Sequence, residues 1–190
     1  RKEIESLLKR FDGLVMVDEA YIDFSSSESL LKDLAKYPNL IVLQTFSKAW
    51  ACAGIRLGMA FASPEVIAIY NKVKYPYNVN VLTQRQALEV LADYSKITEW
   101  VALLKAERER LVVALEKYPD TEHVFPTDAN FVLVRVKDAQ ALYDYLLTQG
   151  IIIRNRHRVQ LCANCLRITV GTREENEALK IFRLALSQNV

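Results

Sequence analysis

The sequence predicts an α/β protein in which a mixed, mostly parallel sheet is followed by a smaller α+β C-terminal domain. Short apolar runs alternate with helical spacing in the first half of the chain, which is the pattern of strand–helix–strand crossovers. A long charged amphipathic segment at about 96–118 then predicts a helix between two domains. Shorter elements follow it, so we predict a large domain at 1–95 and a small domain at 96–190.

The first domain begins with helical spacing that Asp12-Gly13 interrupts. Tyr37-Pro38-Asn39 separates a second helix from an apolar strand, and this order predicts a parallel pair of strands. The third strand follows so closely that it is expected to be a mixed or antiparallel neighbour. The predicted strands are 14–17, which we expect to be buried, 40–43 and 58–62, and the predicted helices are 2–10, 28–37, 65–74 and 81–94.

The second domain is predicted to mix single strands with helices. Gly150 is placed where a helix C-terminus favours glycine. The predicted strands are 130–136, 151–154 and 166–170, and the predicted helices are 96–118, 138–148 and 173–187.

Composition excludes several classes of function. The chain has 190 residues, of which 51% are hydrophobic, with 25 basic and 23 acidic side chains. This balanced, interspersed charge lacks the basic stripe of a nucleic-acid-binding protein. No apolar stretch has the length of a membrane span. We therefore expect a soluble, cytoplasmic protein that binds neither nucleic acid nor membrane.

Three cysteines suit a reducing compartment better than a disulfide framework. Cys162-Ala-Asn-Cys165, with His157 five residues earlier, raises the question of a metal or redox cluster. A zinc site normally has four ligands, and no second Cys or His pair accompanies these residues. We therefore predict no metal.

Two chemically distinctive side chains follow predicted strands. Asp18 directly follows the first strand, and Lys48 lies just beyond the second, in Thr45-Phe46-Ser47-Lys48. The carboxyl ends of parallel strands form the ligand-binding edge of α/β sheets. A lysine forms a Schiff base with an aldehyde, and pyridoxal 5'-phosphate is an aldehyde cofactor that uses a carboxylate against its pyridine nitrogen. The pair therefore suggests that cofactor.

Three further residues extend this hypothesis. Tyr21 is placed to hydrogen-bond the ring oxygen of the cofactor, and Ser47 and Arg56 offer a hydroxyl and a guanidinium for its phosphate. Each residue taken alone also has a purely structural explanation. The acid at the strand end could cap a helix, and the lysine could be a solvated surface residue. The arginine could form a surface ion pair, and the tyrosine could be a half-buried packing residue. Only their joint spacing favours a site.

Five segments together resemble the histidinol-phosphate aminotransferase family, which belongs to the fold-type-I pyridoxal-phosphate transferases. The resemblance spans nearly the whole chain, and its last segment is the one closest to the histidinol-phosphate branch. The segments are Val17-Asp18-Glu19-Ala20-Tyr21, Thr45-Phe46-Ser47-Lys48-Ala49, Ala53-Gly54-Ile55-Arg56-Leu57-Gly58, Asp128-Ala129-Asn130-Phe131 and Cys165-Leu166-Arg167-Ile168-Thr169-Val170-Gly171-Thr172.

The resemblance implies roles for the candidate residues. Lys48 is expected to be the Schiff-base lysine and to transfer the proton between the substrate's α carbon and the cofactor. Asp18 is expected at the pyridine nitrogen, Tyr21 at the ring oxygen, and Ser47 and Arg56 at the phosphate. Arg167 matches the arginine that grips an anionic group of the substrate, with a surface ion pair as its alternative. Arg154 is a second candidate for binding the substrate, and its alternative is a solvated loop residue.

The resemblance also implies a reaction and an assembly. The expected reaction exchanges an amino group between histidinol phosphate and 2-oxoglutarate in a homodimer. Alternatives are an aminotransferase for another substrate such as an aromatic amino acid, a threonine-phosphate decarboxylase, and a non-catalytic aminotransferase-like module. Enzymes of this family have roughly twice this length, so the chain is expected to be a carboxyl-terminal half that alone binds cofactor poorly and turns over little or nothing.

Overall fold

The computed structural model describes residues 1–179 of the 190-residue chain. The chain forms two compact units, Arg1–Glu99 and Trp100–Val190, and the division falls within helix α4 (Tyr94–Glu116). The functional division predicted at residue 95, with a cofactor-binding domain before it, stays a prediction.

The sheet of the first unit has three strands in the order β1 (Val15–Asp18), β2 (Leu40–Thr45) and β3 (Gly58–Phe61). β1 runs parallel to β2, and β3 runs antiparallel to β2. The expected mixed sheet is thus confirmed. Its parallel pair ends with Asp18 beside Leu43, so the ends of β1 and β2 share one edge.

Burial differs between the two parallel strands. Leu40, Ile41 and Val42 of β2 are at most 1% exposed. β1 instead alternates, with Val15 buried and Met16 55% exposed. The prediction of a wholly buried first strand was therefore wrong, because successive side chains of a strand point to opposite faces and only one face of β1 packs against the core.

The first unit also contains helices α1, α2 and α3 and three short 3₁₀ helices. The helix predicted at 28–37 is only a 3₁₀ turn, Leu30–Asp33, whose N-cap Ser29 accepts a hydrogen bond from the backbone N–H of Leu31. The helices are α1 (Lys2–Arg10), α2 (Pro64–Val73) and α3 (Val81–Ala92), and the other 3₁₀ segments are Ile22–Phe24 and Ala53–Ile55.

The second unit is built on an antiparallel sheet flanked by helices. The strand order is β4 (Thr121–Val124), β5 (Phe131–Val136), β7 (Cys165–Thr169) and β6 (Arg154–Asn155). Besides α4, the helices are α5 (Ala139–Thr148) and α6 (Arg173–Ala178). Gly150 follows α5 with a φ of 73°, as its predicted capping position requires.

Two elements of this unit differ from their predictions, and a third is described only in part. β4 was not predicted, since four partly exposed residues carry little apolar signal. The strand predicted at 151–154 begins only at Arg154, because the pairing with β7 covers Arg154 and Asn155 alone. The helix predicted at 173–187 is described as far as Ala178, and its part from 180 onward lies outside the described residues.

One face of the antiparallel sheet forms the core of the second unit. Val132, Val134 and Val136 of β5 are at most 1% exposed, whereas Leu133 and Arg135 between them are half-buried on the opposite face. α4 and α5 contribute Leu111, Leu115 and Leu146 to the same core. In the part of the chain that the structure describes, no helix is long and apolar enough to cross a bilayer.

Candidate active site

Asp18 lies at the sheet edge shared by β1 and β2, where it is accessible to solvent. Its side chain is exposed, and Oδ1 accepts a hydrogen bond of 2.9 Å from the backbone N–H of Ala20. The backbone N–H of Glu19 donates to Leu43 O at 2.8 Å and so extends the parallel ladder by one bond. The Asp18 carboxylate is therefore attached to a fixed strand end and oriented by its own turn.

Glu19 is the main residue of this region that sequence reasoning missed. It is only 7% exposed, and its carboxylate accepts hydrogen bonds from Ser29 Oγ at 2.6 Å, Leu30 N at 2.8 Å and Gln44 Nε2 at 3.1 Å. It thus ties the end of β1 to β2 and to the following 3₁₀ turn. An acid next to Asp18 at the end of an apolar strand was the available signal.

Lys48 lies in the compact connection between β2 and β3. Its neighbours Phe46 and Ala49 are buried, and Lys48 itself is half-buried. The connection closes on itself, since Cys52 N donates to Phe46 O at 3.0 Å and Ala51 N donates to Lys48 O at 3.1 Å. Buried anchors beside Lys48 therefore hold its backbone while its side chain reaches the surface.

The structure brings Lys48 and Tyr21 together. Lys48 Nζ lies 5.0 Å from the centroid of the Tyr21 ring, within the range of a cation–π contact. Tyr21 is the N-cap of the 3₁₀ turn that follows Asp18. Parallel pairing of β1 with β2 thus places the loops that carry the amine and the phenol next to each other.

Ser47 and Arg56 border the same connection. Phe46 N donates to Leu57 O at 3.1 Å, which places the segment after β2 beside the segment before β3. Ser47 N donates to Thr45 Oγ1 at 3.0 Å. Arg56 is exposed, has a φ of 56° and donates from Nη1 to Ala53 O at 3.0 Å. Its left-handed backbone is a strained conformation for a non-glycine residue, as is often seen at functional loops.

A buried threonine supports the Arg56 loop from α3. Thr83 is 8% exposed, and its hydroxyl donates to Ile55 O at 3.1 Å. Its backbone N–H donates to Asn80 Oδ1, the N-cap of α3. The start of α3 therefore fixes the carbonyl just before Arg56.

Arg154 and Arg167 belong to the second unit and lie directly opposite each other. They are Cα partners in the β6–β7 pair. The Arg167 guanidinium lies 5.0 Å from the Phe131 ring centroid, and its Nε is buried with no hydrogen-bond partner within the described residues. Arg154 is exposed. Neither side chain forms one of the ion pairs found among residues 1–179.

The β6–β7 pairing places two positively charged residues side by side on one strand pair. A buried guanidinium N–H without an acceptor is costly, and an anion supplied by a ligand would satisfy it. The pairing is not visible in the sequence, because β6 is two residues long and its register is set by β7.

Comparison with known proteins identifies the family. A model of "Aminotransferase class I and II" matches residues 1–180. A curated histidinol-phosphate aminotransferase of Bacteroides thetaiotaomicron is 56% identical over 179 residues, which are 94% of this chain and 52% of the relative. The chain thus spans about half the length of the curated relatives it matches.

Solved structures agree on the fold. The histidinol-phosphate aminotransferase of Clostridium acetobutylicum matches with a TM-score of 0.91 and 27% identity, over 100% of this chain and 60% of that one. L-threonine-O-3-phosphate decarboxylase of Porphyromonas gingivalis matches with a TM-score of 0.85 and 26% identity, over 100% and 59%. The predicted fold-type-I architecture is confirmed, and the chain belongs to the aminotransferase class I and II family.

Proposed function

We propose that this chain carries the catalytic lysine of a pyridoxal-phosphate-dependent aminotransferase that exchanges an amino group between histidinol phosphate and 2-oxoglutarate. The observation that most directly supports this proposal is the position of the half-buried Lys48. Its Nζ lies over the Tyr21 ring at the sheet edge where Asp18 ends β1. Family membership and curated relatives with the histidinol-phosphate aminotransferase name support the assignment.

The residues at this edge fit the cofactor. One edge carries an amine (Lys48), a carboxylate (Asp18), a phenol (Tyr21), a hydroxyl (Ser47) and a guanidinium (Arg56). These are the groups needed to hold an aldehyde, a pyridine nitrogen, a ring oxygen and a phosphate. When bound, pyridoxal phosphate supplies an electron sink for the carbanion formed at the substrate's α carbon.

Each residue has a distinct task in this proposal. Lys48 Nζ would hold the aldehyde of the cofactor and would carry the proton to and from the substrate's α carbon. Asp18 would pair with the pyridine nitrogen and hold its proton. Tyr21 would donate a hydrogen bond to the ring oxygen, and its ring orients Lys48 Nζ. Ser47 and Arg56 would hold the phosphate.

The arginines of the second unit recognise the substrates. Histidinol phosphate carries a phosphate and 2-oxoglutarate carries two carboxylates, and planar guanidinium groups bind both kinds of anion in bidentate fashion. Arg167 is the stronger candidate because its Nε is buried and has no acceptor among residues 1–179. Arg154, its cross-strand partner, supplies a second positive charge.

A phosphate-bearing substrate also suits the second candidate function. The likeness to L-threonine-O-3-phosphate decarboxylase of P. gingivalis favours a decarboxylase for threonine phosphate as that alternative. The arginines bind a phosphate in either case, so they do not distinguish the two reactions. Assembly as a homodimer in the cytoplasm belongs to the proposal for the aminotransferase.

Covalent trapping of the cofactor tests the role of Lys48. We expect pyridoxal phosphate to give a visible absorption band that borohydride fixes to Lys48, and Lys48→Ala to lose it. Lys36→Ala is the matched control, because Lys36 Nζ also lies 5.0 Å from an aromatic centroid, that of Tyr37, but away from the β1–β2 edge. A fixed band that persists in Lys48→Ala would contradict the proposal.

Because the chain spans only part of its relatives' length, the trapping experiment needs a second protein for comparison. The same measurements are made on the 190-residue chain and on a chain extended to the length of its relatives. A band in the extended chain alone would mean that the site needs residues outside this chain. No band in either would exclude the cofactor and favour a non-catalytic module.

Substrate identity is tested separately with the extended chain. We expect histidinol phosphate and 2-oxoglutarate together to yield glutamate, whereas phenylalanine gives much less. Release of carbon dioxide from threonine phosphate without glutamate formation would favour the decarboxylase instead.

A further inference from the structure

Cys162 and Cys165 are joined by a tight turn that the proposed reaction does not use. Cys165 N donates to Cys162 O at 3.0 Å, which is the hydrogen bond of a four-residue β-turn. Asn164, at the third position, has a φ of 55°, whereas Ala163 before it does not have a positive φ. A positive φ at that position alone is the mark of a type II turn, which accepts Gly or Asn there.

The turn brings the two cysteines within reach of each other. The ends of a β-turn lie within about 7 Å between Cα atoms. Disulfides span Cα separations of about 4.4 to 6.8 Å. The Cys162 thiol also interacts with the Cys165 thiol, and this interaction contributes to raising the pKa of Cys165. The Cα separation that the turn imposes on Cys162 and Cys165 therefore overlaps the range that a disulfide spans.

Three hydrogen bonds hold the turn in place. Asn164 N donates to His157 Nδ1 at 3.1 Å, and Asn164 Nδ2 donates to Lys137 O at 3.1 Å. Val136 N donates to Asn164 O at 3.0 Å. These bonds attach the turn to the end of β5 and to the segment after β6, so the backbone positions of the two cysteines are fixed in the folded state.

The two thiols differ in access and in chemistry. Cys162 is half-buried, whereas Cys165, the first residue of β7, is fully buried. Burial raises the pKa of the Cys165 thiol, and the adjacent Arg135 guanidinium opposes that rise by favouring the thiolate. An oxidant therefore reaches Cys162 first, and Cys165 is the partner that resolves the oxidised sulfur.

We propose that Cys162 and Cys165 form a redox-active dithiol that a hydroperoxide converts reversibly to an intrachain disulfide. The Cys162 thiolate attacks the distal peroxide oxygen, the O–O bond breaks, and Cys162 becomes a sulfenic acid while the other oxygen leaves as water or an alcohol. Cys165 sulfur then attacks the Cys162 sulfur, an S–S bond forms and water leaves. The two sulfurs lose two electrons, which reduce the peroxide, and an external thiol restores the pair.

This inference does not depend on the proposed function. Its readouts are the thiol count, the intact mass and the crosslinked peptide, none of which requires a cofactor or a substrate. The third cysteine, Cys52, belongs to the first unit and provides the control.

The test treats the reduced protein with hydrogen peroxide and counts free thiols. We expect the wild type to lose two of its 3 thiols, with a mass lower by two hydrogens, a Cys162–Cys165 crosslinked peptide, and full recovery on adding dithiothreitol. Cys52→Ser should lose both remaining thiols in the same way. Cys165→Ser should stop at a Cys162 sulfenic acid that dimedone traps, and Cys162→Ser should keep its Cys165 thiol.

Three outcomes would overturn the proposal. One is a crosslink that involves Cys52 or a second chain. Another is oxidation of wild-type Cys162 to a sulfinic acid with no crosslink. The third is retention of all three thiols under conditions that oxidise a free dithiol peptide of sequence Cys-Ala-Asn-Cys. Circular dichroism of each variant checks that it is folded before the thiols are counted.

Discussion

Two neighbouring acidic residues, Asp18 and Glu19, differ in solvent exposure. Asp18 is exposed at the sheet edge, whereas Glu19 is 7% exposed and accepts three hydrogen bonds. Successive side chains of a strand point to opposite faces, so one acid faces the open side and the other the packed side. Glu19 thereby holds the strand end from which Asp18 projects.

Glu19→Gln should destabilise the first unit measurably. A neutral amide weakens the bonds from Ser29 Oγ and Leu30 N and places its own NH₂ group near that of Gln44. Hydrogen bonds to a buried charged group contribute about 1.5–3 kcal/mol, so we expect a loss of about 1–3 kcal/mol in the free energy of unfolding, measured with urea.

Glu28→Gln is the matched control for that change. Glu28 pairs with Lys32 on the surface, and both side chains are more than half exposed. Surface pairs of this kind contribute little, so its unfolding midpoint should stay near that of the wild type. Equal effects of the two substitutions would contradict the structural role given to Glu19.

At the scale of the element, α5 shows how one helix face decides stability. Its Leu142 and Leu146 belong to the core of the second unit, whereas the next residue, Leu147, is 42% exposed. Asp138 starts the helix by accepting a hydrogen bond of 2.9 Å from Ala141 N, and Gly150 follows its end. Local signals thus set the ends of α5, and packing against β6 and β7 sets its orientation.

Leu146→Ala and Leu147→Ala should therefore differ sharply. Leu146 is 0% exposed, and truncating a fully buried leucine typically costs about 2–5 kcal/mol, because contacts are lost and a cavity remains. Leu147→Ala makes the same chemical change on the exposed side and should cost below about 1 kcal/mol. Urea unfolding followed by far-UV circular dichroism measures both, and similar losses would show that the assigned face of α5 is wrong.

At the scale of the whole molecule, charge is nearly balanced, so pH acts on stability through particular buried groups. Tyr118, two residues after the end of α4, is 7% exposed. Burial, reinforced by the nearby Asp120 carboxylate, raises the pKa of Tyr118 to about 12 from an ordinary value of 10.0. The folded state therefore favours the protonated phenol.

This pKa shift predicts a loss of stability at alkaline pH. Below the unfolded-state pKa, Tyr118 is protonated in both states and its contribution is constant. As the pH rises from about 10 to about 12, the unfolded chain releases this proton before the folded chain does, so the free energy of unfolding falls. Urea titrations across this range should show a shallower decline for Tyr118→Phe than for the wild type.

Tyr77→Phe is the control for the alkaline titration, because the Tyr77 side chain is 97% exposed. Its profile should follow that of the wild type. A Tyr118→Phe profile as steep as the wild type would mean that Tyr118 ionises equally easily in both states.

The sequence by itself determined the broad class, the main strands and the residues with reactive side chains. Lys48 and Asp18 were recognisable because each follows an apolar run, and such runs are local in sequence. Apolar spacing likewise located the helices at 65–74 and 138–148, which became α2 and α5. The quoted segments led to the family, which the match over residues 1–180 confirms.

Only the tertiary structure decided which residues meet. The contact of Lys48 with Tyr21, the burial of Glu19 and the pairing of Arg154 with Arg167 join positions far apart in the chain. β4 and the 3₁₀ turn at Leu30–Asp33 were missed or mistaken for the same reason. A neighbouring strand and a distant carboxylate stabilise these segments, and periodicity within a segment carries no information about such partners.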